Sequence, residues 1–301
     1  IFNSGNATST IDHLTVAASL GSGIESLVPP SLAETAPKQS LIVQYDSTAR
    51  KWRDEVGRDW TSSVLMELPD NDVFVIDAQS LKTVATASHV GSTLFGLLPG
   101  RDPHQVFVAH LEANNLTRLE PRVRGHFTNN RITTLDFADR TSVRKAATDL
   151  DHVEGENRSL ALPTSLALAS EPSELLVGAM GSSSVSVFGF QDNGPSQQLR
   201  MKQQIHLDAP PTGILLNADG QSGYVISAIG AEIWAITRNL SHWQVGHATP
   251  LSTNPVGEQI QHGQRLFYDA VADNPRGTVA CASCHIFGRD DALAWDLGTP
   301  T

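Results

Sequence analysis

Pro163-Thr-Ser-Leu-Ala-Leu-Ala169 and Pro211-Thr-Gly-Ile-Leu-Leu-Asn217 begin two units, 48 residues apart, that share one order of parts. In the first, a polar turn is followed by Leu175-Leu-Val177 and Val185-Ser-Val187. In the second, Asp219-Gly220 makes the turn, and Tyr224-Val-Ile226 and Ile233-Trp-Ala235 follow. Several short strands recurring every ~40–50 residues are the sequence signature of β-propeller blades. A β-sandwich of unrelated strands is the alternative, but a sandwich has no need to repeat. A weaker unit runs from Ser92-Thr-Leu-Phe-Gly-Leu-Leu98 through Val106-Phe-Val-Ala109 to Arg131-Ile-Thr-Thr-Leu135. At this period residues 41–250 hold about five blades, and a part of the ring before Ile1 is left open.

Single strands read out directly as short apolar runs between turn residues. Val73–Asp77 and Gln105–His110 are two of them. Glu174–Gly178 and Ser184–Phe188 form a hairpin across Met180-Gly-Ser-Ser183, and Gly223–Ser227 and Glu232–Ile236 form another across Ala228-Ile-Gly-Ala231. Residues 1–40, rich in Ser, Thr, Ala and Pro, read as an irregular segment or a poorly packed strand. Arg140–Arg158 is charged and sparse in β-formers, which suggests a loop or short helix between blades. The fold class is therefore mainly β: a β-propeller, followed by something different.

That difference begins near residue 254. Glu258–Ala270 has Ile260, Gly263, Phe267 and Ala270 near one face of a helix. The loop Asp273-Asn-Pro-Arg-Gly277 then leads into Cys281-Ala-Ser-Cys-His285, a CxxCH pentapeptide. This is the attachment signature of c-type haem. Each thiol can add to one haem vinyl group, and the adjacent imidazole becomes the proximal iron ligand. The chain has two cysteines, both in this motif. A structural zinc site would need two further ligands. A thioredoxin-like dithiol would be expected beside a βαβ pattern, and none is visible. A small, truncated cytochrome c domain over residues 254–301 is the reading. Only 16 residues follow His285, too few to cover the second haem face.

The helix run Gly263-Gln-Arg-Leu-Phe267 and the CxxCH that follows resemble the haem domain of the di-haem cytochrome c peroxidase and MauG-like families. Bacterial proteins that fuse a YVTN-type β-propeller to such a domain are more similar still. They carry relatives of Cys281–Gly288 and Leu293-Ala-Trp-Asp-Leu-Gly298. Their propellers carry stretches similar to His89–Phe95, Glu112-Ala-Asn-Asn115, Arg124-Gly-His126, Asn130-Arg-Ile132 and Gly181-Ser-Ser183. The resemblance implies haem c, a distal Met or His and often a second CxxCH. The last two have no evident counterpart here, since Met66, Met180 and Met201 all fall in the strand-rich region.

Other residues carry two readings each. Trp295 packs either on the haem edge, excluding water, or in the core as an ordinary aromatic. Arg289, Asp290 and Asp291 bind a propionate or Ca²⁺, or form a solvated turn. His262 is a second iron ligand or a surface residue. His89, His110 and His126 are packing or hydrogen-bonding residues, one of them open to a partner or second cofactor.

With 21 Lys and Arg against 32 Asp and Glu, the chain carries −11, which argues against nucleic-acid binding. No apolar run approaches the ~18 residues that span a bilayer. Haem c is attached outside the cytoplasm, so this reading expects a leader before Ile1 and places the protein in the periplasm or at the cell surface of a bacterium. Three functions follow. One is electron transfer to a redox partner protein, alone or within a larger complex. The second is a di-haem peroxidase-like oxidoreductase. The third is an interaction protein with a structural haem.

Overall fold

A computed structural model describes residues 2–3, 6–20, 41–65, 70–117, 120–139, 142–151, 159–170, 173–191, 198–251, 256–272 and 276–297. The protein is mainly β, with a β-propeller-like arrangement of antiparallel sheets. Three consecutive sheets are up-and-down meanders, here called blades A, B and C. Blade A contains Thr93–Pro99, Gln105–Ala113, Thr128–Asp136 and Arg144–Asp149, with Phe2–Asn3 added beside its first strand. Blade B contains Pro163–Ala169, Glu174–Ala179, Ser184–Gln191 and Gln198–His206. Blade C contains Gly213–Leu216, Ser222–Ser227, Glu232–Asn239 and His242–Val245, with Thr249–Pro250 paired beside its third strand. The first strands of A, B and C adjoin one another. Two smaller sheets precede them: Thr8–Ile11 with Leu41–Asp46 and Lys51–Arg53, and Val73–Ile76 with Thr83–Ala87.

The period-2 alternation of a strand explains how the blades stack. Every residue of Glu174–Ala179 is buried. Leu175 and Val177 enter one core with Phe107, Ile132, Leu150 and Leu160 of the blade A side. Leu176, on the opposite face, enters a second core with Val225, Trp234, Ile236 and Trp243 of blade C. A central blade is thus apolar on both faces, and burying each large side chain stabilises by ~1.5–3 kcal/mol. Blade C shows the alternative: Leu215, Tyr224 and Ile226 on its far face are exposed. The 48-residue repeat corresponds to the first strands of B and C, at Pro163–Ala169 and Gly213–Leu216.

Glu174, buried at the start of its strand, accepts from the Trp243 indole (3.0 Å) and pairs with Lys202 (3.0 Å) and Arg238 (3.4 Å). A buried carboxylate is tolerated only when compensated in this way.

Two expectations need correction. Residues 1–40 are not irregular throughout: Phe2–Asn3 and Thr8–Ile11 are strands, and His13–Leu20 is a helix whose Val16 enters a core with Ile11, Leu41, Trp52 and Trp60. Residues 21–40 lie outside the described residues. Arg140–Arg158 was expected as a loop or helix, yet Arg144–Asp149 is the outer strand of blade A. Its charged composition is what an edge strand uses to resist pairing with other chains. Residues 140–141 and 152–158 lie outside the described residues.

Helix Glu258–Tyr268 forms where the 3.6-residue pattern places it. Phe267, with Ala270 just beyond the helix, packs inward, whereas Ile260 is 63% exposed and nothing lies against Gly263. The expected face is therefore covered over one half only. No helix among the described residues is long and apolar enough to cross a membrane.

Candidate functional site

The segment from residue 256 to 297 lies against one end of the propeller-like part. An apolar cluster joins them: Leu111, Ala161, Leu162 and Met180 from the blades, and Ala270, Ala280, Ala282 and Ile286 from the segment. Three of the four residues from the segment are alanines, set against larger side chains of the blades. Within the blades, a Cβ on Gly181 would fall 2.9 Å from the Ala161 Cβ. The Gly181 carbonyl also accepts the Ala270 N–H at 2.9 Å.

Four polar ties fix the register of this contact. Asn115, fully buried, donates to the Ala294 carbonyl (2.9 Å). Asn130, also fully buried, donates to the Thr278 carbonyl (2.8 Å) and to Asp151 (2.6 Å) and accepts the Leu162 N–H (2.8 Å). The Ser159 N–H donates to the Arg276 carbonyl (3.2 Å). The Arg276 guanidinium donates to His126 Nε2 (2.7 Å). Buried amides satisfied on every side specify one arrangement, because any slip leaves them unpaired. Asn115, His126, Asn130 and Gly181 together dock this segment onto the blades.

Cys281–Cys284 is one turn of helix, with the Ser283 hydroxyl accepting the Ala280 N–H (3.1 Å) and the His285 N–H bonded to the Cys281 carbonyl (2.9 Å). Ala282 and Ser283 face inward, while Cys281 and His285 are exposed and Cys284 is half-buried. The alternation turns all three chemically active side chains outward. They open onto a pocket of about 800 Å³, whose other walls include Arg124, His126, Phe127, Arg276 and Thr278. That volume lies within the ~300–1,000 Å³ usual for cofactor pockets.

The fit to a haem can be judged from the thiols. Both are free. Burial, with Asp291 and Cys281 nearby, pushes the Cys284 thiol up to about 12. A thioether carries no charge, so the same surroundings do not penalise it. Among the described residues no group of three or more His, Cys, Asp or Glu side chains comes together to hold a metal ion directly. Cys281, Cys284 and His285 stand together on one wall of the pocket, where a group attached at the two sulfurs would lie within it.

Phe287, just past the motif, has φ +50°, and Gly288 has φ +77°. A left-handed aromatic is strained, and such residues persist where the surroundings over-determine them. Arg124 (φ +53°) and Gly125 (φ +76°) make a similar turn on the facing wall, after the short helix Glu120–Val123.

Trp295 does not line the pocket. It stands behind Phe127, ring centroids 6.3 Å apart and edge-on, and donates to Asp291 Oδ2 (2.8 Å). It is half-buried and bonded within its own loop. Asp291 is not part of a solvated turn: it is buried, accepts from Leu293 (3.1 Å) and Trp295, and burial raises its pKa. It is thus engaged with its own loop rather than turned out towards Ca²⁺, and Arg289 and Asp290 are exposed beside it. His262 is on the exposed side of its helix. His89 pairs with Asp70 at the surface. His110 is fully buried and bonded to Thr133 Oγ1 (2.8 Å). Met180 is in the apolar cluster, Met201 is in the fourth strand of blade B, and Met66 lies outside the described residues.

No family model and no curated protein matches the chain. Among solved structures it is similar to hydrazine synthase of Kuenenia stuttgartiensis, with a TM-score of 0.48 and 16% identity over 69% of this chain and 58% of that one. It is also similar to a periplasmic gluconolactonase of Pseudomonas aeruginosa, with a TM-score of 0.44 and 10% identity over 73% of this chain and 66% of that one. These neighbours are β-propeller-like. The chain spans less than two thirds of the length of either, and at these scores the likeness describes strand arrangement and nothing about chemistry.

Proposed function

We propose that this chain is a bacterial c-type cytochrome of the periplasm or cell surface, in which a YVTN-type propeller carries a covalent haem and passes electrons to a partner protein. The observation that carries the reading is the shared pocket: Cys281, Cys284 and His285 all line it, and it is large enough for a cofactor. In this reading the segment from residue 254 onward is the first part of a cytochrome c domain.

Attachment is redox-neutral. Each thiol adds across a vinyl group, forming one S–C bond, and its proton goes to the other vinyl carbon. Bound at His285, haem supplies an iron that cycles by one electron. The protein's own residues do the rest. Cys281 and Cys284 fix the ring's position, His285 orients it, and Phe127 presents an apolar wall. Arg124 and Arg276 offer guanidinium groups suited to carboxylates such as propionates. The exposure of Cys281 and His285 leaves the site open to a docking partner.

A pyridine haemochrome spectrum on the denatured protein, with its intact mass, tests this. A c-type spectrum with the mass of one added haem is the expected result. Two free thiols after expression with a haem-attachment system would overturn it.

A further inference from the structure

Resting on that haem reading, we propose that the second axial ligand of the iron is His126, which the propeller-like part supplies rather than the segment that carries CxxCH. The pocket lining holds two imidazoles, His285 and His126. The methionines do not compete among the described residues: Met180 is buried in the apolar cluster and Met201 is in blade B, and neither lines the pocket. His262 is also absent from the lining.

The ring of His126 presents Nε2 as an acceptor. A guanidinium can only donate, so the 2.7 Å bond from Arg276 falls on the Nε2 lone pair and leaves the ring proton on Nδ1. That lone pair is the one a metal would take, so ligation replaces the Arg276 bond. The backbone around it is fixed. The His126 N–H bonds to the Val123 carbonyl (3.0 Å), and the His126 carbonyl accepts from the Asn114 side chain (2.8 Å). The left-handed pair Arg124-Gly125 forms the turn that delivers the residue to the pocket wall. The propeller would then complete the iron site rather than merely carry it.

The test is the spin state of the full chain carrying covalent haem, followed by optical and electron paramagnetic resonance spectra. The expected wild-type spectrum is low-spin, of bis-imidazole type, with no methionine–iron charge-transfer band. His126→Ala should lose the low-spin signal and regain it on adding imidazole, with its thermal melt as the control for folding. His126→Met should exchange the signature for a methionine-ligated one. A high-spin wild type, or a low-spin spectrum unchanged in His126→Ala and His126→Met, overturns the assignment while the haem reading stands. Absence of covalent haem in the wild type overturns both, and the haemochrome assay shows it before any spin-state comparison.

Discussion

The Asn130 side-chain amide reaches across 148 positions of sequence to the Thr278 carbonyl, at 2.8 Å, and joins the end of the propeller to the strand of chain that enters CxxCH. The same amide holds Asp151 and Leu162. One buried side chain thus couples blade A, the connection into blade B and the candidate site.

Asn130→Ala should lower stability by about 2 kcal/mol or more, since each buried polar group left unsatisfied costs ~1–3 kcal/mol. Asn130→Asp should be worse at neutral pH, because it puts a second carboxylate beside Asp151. That extra loss should shrink on acidification. Urea unfolding at two pH values measures both, with midpoints compared at constant slope. Wild-type midpoints in both variants would remove this amide from its coupling role.

His110 and Glu112 give opposite pH dependences within one strand. Burial, aided by Arg131, lowers the His110 pKa from the usual 6.5 to about 4. Between those values the unfolded chain binds more protons, so this contribution is full above pH 6.5 and lost as pH falls to 4, by about 3 kcal/mol. Burial raises Glu112 to about 7 from 4.5, with Asp70 and Asp72 adding to the rise. Its contribution is full below 4.5 and lost as pH rises through 7. The windows overlap and the slopes cancel, so wild-type stability should be nearly flat from pH 4.5 to 6.5. Glu112→Gln should expose the histidine limb and lose stability steeply with acid. Equal melting temperatures for that variant at both ends of the window would show that His110 does not titrate as described.

Gly91→Ala should cost ~1–3 kcal/mol through overpacking. Its Cβ would sit 2.7 Å from the His110 Cγ and 2.9 Å from the Leu111 carbonyl oxygen. Because the main obstacle is an imidazole, His110→Ala should relieve much of the penalty. A double-mutant cycle reads this directly, and additive effects would mean that the clash is with the backbone alone.

With both thiols free, iodoacetamide should alkylate Cys281 at least tenfold faster than Cys284 at pH 8. The thiolate is the reactive form, and a thiol at about 12 is ionised to only ~10⁻⁴ at that pH. Cys281 is exposed whereas Cys284 is half-buried. Peptide mass spectrometry of a short time course measures the ratio. Equal rates would show that the turn opens freely.

What could be read in the sequence were the elements whose local chemistry and tertiary role agree. The hairpin Glu174–Ala179 and Ser184–Gln191 is apolar on both faces because both are buried, and its turn residues mark the reversal. Arg144–Asp149 was missed because an edge strand needs only one partner and is otherwise solvated, so its composition resembles a loop. Trp295 could not be placed from its sequence neighbours, because what decides its environment is Phe127, far off in the chain. Asn115, His126 and Asn130 showed themselves only as family-like stretches. Their common purpose depends on the segment folding back over 148 to 179 positions, which no local pattern records.

Ala282 and Ser283, wedged between the two cysteines, are sealed against the blades when the segment is docked. The two residues between the cysteines therefore act as an anchor while the cysteines and His285 stay on the accessible side. The motif is thus divided by depth: its spacer belongs to the protein's interior, and its reactive groups belong to whatever meets the surface.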